Sequence, residues 1–130
     1  MKCDQAEADE FAIKIGANML VPTRCQSSDA LAQLPKPGGS QLKFLREHAK
    51  SRGRALTARR LAEAVGYRNH GGINLQYGLL ARRIGEVLGR RDPHLSILVD
   101  FVPPRSVTNR EWVMVMHPQF AEALKDANWI

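Results

Sequence analysis

Between residues 73 and 88, Asn74, Gly78, Arg82 and Gly85 recur at three- and four-residue steps, and Gln76 falls in the same segment. These residue types can do one kind of chemistry together. An Asn amide pairs with adenine and an Arg guanidinium with guanine when a helix lies in a major groove. In a minor groove Arg is also favoured, with more degenerate readout. Each glycine inside a helix costs about 1 kcal/mol against alanine. Two in one stripe imply that another backbone comes close, either a sugar-phosphate chain or a neighbouring helix.

Other cations fit the same chemistry. Arg59 and Arg60 fall in the first turn of an expected helix, where a positive charge opposes the helix macrodipole. Two of them there imply a compensating external anion such as a phosphate. Arg68 and Asn69 lie in the turn that follows, Arg83 lies beside Arg82, and Arg105 and Arg110 sit in a loop with Ser106, Thr108 and Asn109. Hydroxyl, amide and guanidinium groups of this kind bond phosphate oxygens.

The charge distribution agrees. The chain of 130 residues carries a net +6, but residues 36–110 alone net +10 while 1–35 and 111–130 each net −2. Clustered positive charge is what neutralising a polyanion requires. Catalytic chemistry is harder to build. His48, His70, His94 and His117 lack metal-ligand spacing and have no paired cysteines. Gly38-Gly39 has no Lys-Ser or Lys-Thr after it, so it is no phosphate loop. The expectation is no catalytic residue, no metal and no cofactor. Cys3 and Cys25 are expected as free thiols in a reducing cytoplasm, and the apolar stretch at 13–21 is too short and polar to span a membrane.

The elements that must position these groups follow from caps and periodicity. Ala6 to Met19 has helical patterning, and a short helix is expected at 29–34 with Ser28 as N-cap. Pro35-Lys36-Pro37-Gly38-Gly39 is a linker, since two prolines and two glycines do not continue a helix. A helix over 40–51 follows, with Ser40 as N-cap and Leu42, Leu45 and Ala49 on one face. Thr57 caps the next, with Leu56 and Leu61 at hydrophobic-staple positions and Gly66 as its end. The third is expected over 73–88, closed by Gly89, with Ile73, Tyr77, Leu80, Ile84, Val87 and Leu88 inward. Strands are expected at 95–102 and 112–116, joined by a loop over 103–111. A last helix over 119–128 turns Phe120 and Leu124 inward, with Trp129 anchoring its end.

Within this order, Leu56 to Val102 resembles the DNA-binding domain of the O6-alkylguanine-DNA alkyltransferases and alkyltransferase-like proteins. Ala81-Arg82-Arg83-Ile84-Gly85 matches that family's Ala-Arg-Ala-Val-Gly helix, and Asp92-Pro93 stands where Asn-Pro is expected. The resemblance implies a winged helix and a DNA-facing Arg82 that enters the base stack from the minor groove. The family's reactive Pro-Cys-His-Arg is replaced here by Leu98-Val99-Asp100-Phe101-Val102, so no thiolate is supplied for alkyl transfer.

The expectation is therefore a mainly α protein with a small antiparallel β-hairpin (α+β). Residues 1–39 form an N-terminal helical extension and linker, and 40–130 a winged helix-turn-helix with a closing C-terminal helix. It would act as a cytoplasmic, non-enzymatic DNA-binding regulator, duplex DNA being favoured as partner. Alternatively it is a protein-interaction module, an inhibitor or adaptor directed at a nucleic-acid-handling partner. Residues 1–35 could also support a homodimer.

Overall fold

The structure, a computed structural model, describes residues 21–68, 71–90, 94–104 and 111–130. It is mainly helical with a small three-stranded antiparallel sheet, an α+β fold. Among the described residues the five α-helices are α1 (Arg24–Gln33), α2 (Gly39–Lys50), α3 (Ala58–Val65), α4 (Gly71–Val87) and α5 (Pro118–Asp126). The strands are β1 (Ala55–Thr57), β2 (Val99–Val102) and β3 (Val113–Met116), in the order β1-β3-β2. The expected helix over residues 6–19 lies outside the described residues.

Local chemistry sets the element boundaries. The Thr57 hydroxyl accepts the Arg60 N–H at 3.1 Å and starts α3 where the cap signal placed it. At the other end, Gly66 adopts φ 79°, and the Tyr67 N–H returns to the Ala62 carbonyl at 2.9 Å. That left-handed closure suits a residue without Cβ. Helix α1 is longer than expected and is capped by Thr23, not Ser28. Thr23 and Gln26 form a reciprocal capping box, while the Ser28 hydroxyl donates to Asp126 instead. Helix α2 likewise starts early, its cap two residues before the expected one, with Gly38 at the cap position and no side-chain cap from Ser40.

Two departures concern the sheet. Strand β1 was not expected, because three residues carry no readable alternation. It exists through its partner, with Ala55 opposite Val115 and Thr57 opposite Val113. The expected strand at 95–102 begins instead with a 3-10 turn, Leu95–Ile97, in which the His94 ring accepts the Ser96 N–H at 3.1 Å. Only from Val99 does the backbone pair, opposite Met116.

The core lies between the helices and one face of the sheet. Leu31, Phe44, Leu45, Leu61, Ile73, Tyr77, Ile84, Leu98, Met114, Phe120 and Leu124 are all buried. Each large apolar side chain removed from water contributes about 1.5–3 kcal/mol. The expected inward stripe of α4 is the observed one at Ile73, Tyr77, Leu80 and Ile84, and Val87 and Leu88 pack at its edge. Residues 24–33 complete this core through Ala30 and Leu31, and α1 lies chiefly against α5. Arg24 clamps the two with a bidentate bond to Asp126 at 2.7 and 2.8 Å.

One polar group sits at the centre. His48 is fully buried among α2, α4 and β3. Its Nε2 lies 2.8 Å from the Met114 carbonyl, which can only accept, so that nitrogen carries the proton. Its Nδ1 then accepts from the Tyr77 hydroxyl. The neutral ring closes both bonds, and burial holds its pKa below the ordinary 6.5.

Candidate nucleic-acid interface

Helix α4 is the longest element among the described residues, 17 residues, and only one side of it is buried. Asn74, Arg82 and Arg83 emerge on the open side, and Gly78 is half-buried at its margin. A Cβ added at Gly78 meets nothing within 4 Å. This glycine therefore makes no room for a neighbour among the described residues.

The predicted residues separate into groups. Arg82 and Arg83 on α4, Arg60 on α3 and Arg68 after it are exposed, and none forms a salt bridge among the described residues. Arg59 differs. Its guanidinium donates to both Glu111 oxygens at 2.7 and 3.2 Å and to Glu63 at 2.9 Å. The bonds to Glu111, then that to Glu63, raise its pKa further above its ordinary value. The expected need for an external anion at this position is met by the chain's own carboxylates.

Two expected contacts are corrected by the packing. Gln76 accepts a hydrogen bond from the Gln41 amide at 3.0 Å, so its carbonyl oxygen joins α4 to α2. Gly85 is buried, and its carbonyl accepts the Arg90 N–H at 2.8 Å in the α4 C-terminal closure. Asn69, Arg105 and Arg110 lie outside the described residues, as does most of the loop expected at 103–111.

Tertiary packing brings together groups that sequence spacing did not link. An open cleft of about 300 Å³ between the start of α3, α4 and the sheet is lined by Arg59, Asn74, Phe101, Glu111, Trp112 and Met114. Arg60 turns to a separate open groove of about 690 Å³, shared with Glu47 and Lys50 of α2. Arg59 lines both openings, Arg60 only the groove against α2. Sequence reasoning also missed three exposed apolar side chains, Leu75, Leu79 and Trp112. The signal was present for the leucines. They are four residues apart and both fall off the buried 73/77/80/84 spacing.

The free thiol expected at Cys25 is overturned, because Cys25 is disulfide-bonded. The chain's other cysteine is Cys3, outside the described residues. Disulfides persist in oxidising surroundings, so the cytoplasmic expectation loses the support that free thiols gave it. Among the described residues no helix is long and apolar enough to cross a membrane, and no three His, Cys, Asp or Glu side chains gather as a metal site. In comparisons with protein families, with characterised proteins and with solved structures, nothing matches this chain, so the functional reading rests on its own residues.

Proposed function

We propose that the chain is a non-enzymatic protein that binds double-stranded DNA through a winged helix-turn-helix. The element order α2, β1, α3, α4, β2, β3 and the sheet order β1-β3-β2 support this reading. Helices α3 and α4 are then the helix-turn-helix, and β2 and β3 form the wing beside it. The observation that carries the reading is the exposed pair Arg82 and Arg83 on α4, without a carboxylate partner among the described residues, with Asn74 also exposed about two turns earlier on the same helix. Phosphate is the anion that clustered, unneutralised guanidinium groups fit best.

The test is a gel-shift titration on duplex DNA across a salt series. Affinity should fall by about 0.9 log unit per neutralised phosphate for each tenfold rise in salt. Substituting Arg82 and Arg83 together by Ala should flatten that slope. Absence of duplex binding at low salt would refute the reading.

A second reading is a protein-interaction module on the same scaffold. Exposed Leu75, Leu79 and Trp112, with Arg59 neutralised internally, favour it. It calls for a partner that stays bound after nuclease treatment and at high salt.

A further inference from the structure

The open side of α4 is not the uniformly polar face of a solvent-facing helix. Leu75 is 60% exposed and Leu79 39%. They lie one turn apart, and Arg82 falls three residues beyond Leu79 and seven beyond Leu75, so the three form one strip. Asn74 and Arg83 are exposed on either side of it, and Glu86 is exposed at its C-terminal end. Neither leucine belongs to the hydrophobic core.

We infer that this strip reads the 5-methyl group of a pyrimidine, thymine or 5-methylcytosine, in the major groove of duplex DNA. The inference rests on the DNA-binding reading above and names what α4 recognises. Base edges are polar with one exception, the methyl group at pyrimidine C5, and it is displayed only in the major groove. A minor groove offers acceptors and one amino donor, against which an exposed leucine gains nothing unless it wedges between base steps. Size agrees: a helix with its side chains is about 10–12 Å across. That fits a major groove about 12 Å wide and not a minor groove of about 6 Å.

Charge points to the same occupant. The partner must be apolar against Leu75 and Leu79 and anionic against Arg82 and Arg83. A major groove edged by phosphates supplies both. Pairing with a second copy would instead gather the unneutralised arginines of both chains at one apolar contact. This placement differs from the minor-groove entry that the alkyltransferase resemblance implies for Arg82.

Duplexes enriched from a random pool by the full chain are resynthesised with uracil for thymine, and separately with 5-methylcytosine for cytosine. A methyl covered by leucine is about one buried carbon group, so affinity should change about fourfold for each. Thymine reading shows as a loss on uracil, and 5-methylcytosine reading as a gain on methylation. Substituting Leu75 and Leu79 together by Ala should abolish the difference between probes. Tm and salt dependence should stay near those of the wild type, because both side chains lie at the surface. Equal affinity for all probes with steep salt dependence overturns this inference alone. No binding to any duplex at low salt overturns the DNA-binding reading with it. Self-association in light scattering that the double variant abolishes, without methyl sensitivity in binding, assigns the strip to a second copy and overturns it too.

Discussion

Arg59 and Arg82 carry the same charge and opposite consequences. Arg59 is held by Glu111 and Glu63, whereas Arg82 has no carboxylate partner among the described residues. Arg82→Ala should therefore weaken duplex binding and lower the salt slope by about 0.9 for each phosphate that it no longer neutralises. Arg59→Ala should change the slope less, and side-by-side gel shifts check the difference. The buried His48 makes a different prediction. Truncating it strands the Tyr77 hydroxyl and the Met114 carbonyl and leaves a void, so His48→Ala should cost about 2–4 kcal/mol in a urea melt.

Among the elements, α3 owes its placement to its caps and α4 owes its open side to what does not cover it. Thr57 joins β1 to the first turn of α3, so removing its hydroxyl frees an N–H at that junction. Thr57→Ala should destabilise by about 1 kcal/mol, read by thermal melting. Gly78 separates stability from binding. A Cβ there meets nothing, so Gly78→Ala should raise stability by about 0.4–1 kcal/mol. If α4 lies against a nucleic-acid backbone, the same variant should bind duplex more weakly despite melting at a higher temperature. A rise in both would mean that the glycine serves no close approach.

For the whole molecule, acid acts through two groups that join distant parts of the chain. Burial lowers the His48 pKa, so the unfolded chain takes up its proton at a higher pH than the folded one. That contribution is complete above about pH 6.5 and declines as pH falls through the folded value. Asp126 is drawn down from 3.8 to about 2, first by the Arg24 hydrogen bond and then by that from Ser28. Its contribution is present above 3.8 and disappears as pH falls toward 2. Denaturant melts across pH should show both losses on acidification, and Asp126→Asn should remove only the lower one. The disulfide is checked by thiol titration of the denatured chain. Without reductant the Cys25 thiol should not react, and with reductant it should.

The sequence by itself determined α3 and the buried side of α4, because caps and apolar spacing are short-range signals. Thr57, Gly66 and Gly89 mark ends where backbone groups must be satisfied locally, and 73/77/80/84 names the buried side of α4. It also singled out Arg82 and Arg83 as exposed candidates. Tertiary structure alone decided what depends on partners far along the chain. Strand β1 exists because β3 pairs with it, and Glu111, 52 residues away, neutralises Arg59. The Gln76 carbonyl oxygen was taken by Gln41 and Gly85 by packing, while Leu75 and Leu79 were left uncovered. The physical reason is range. A helix turn closes over four residues, but charge compensation and burial are settled only when segments far apart in sequence meet.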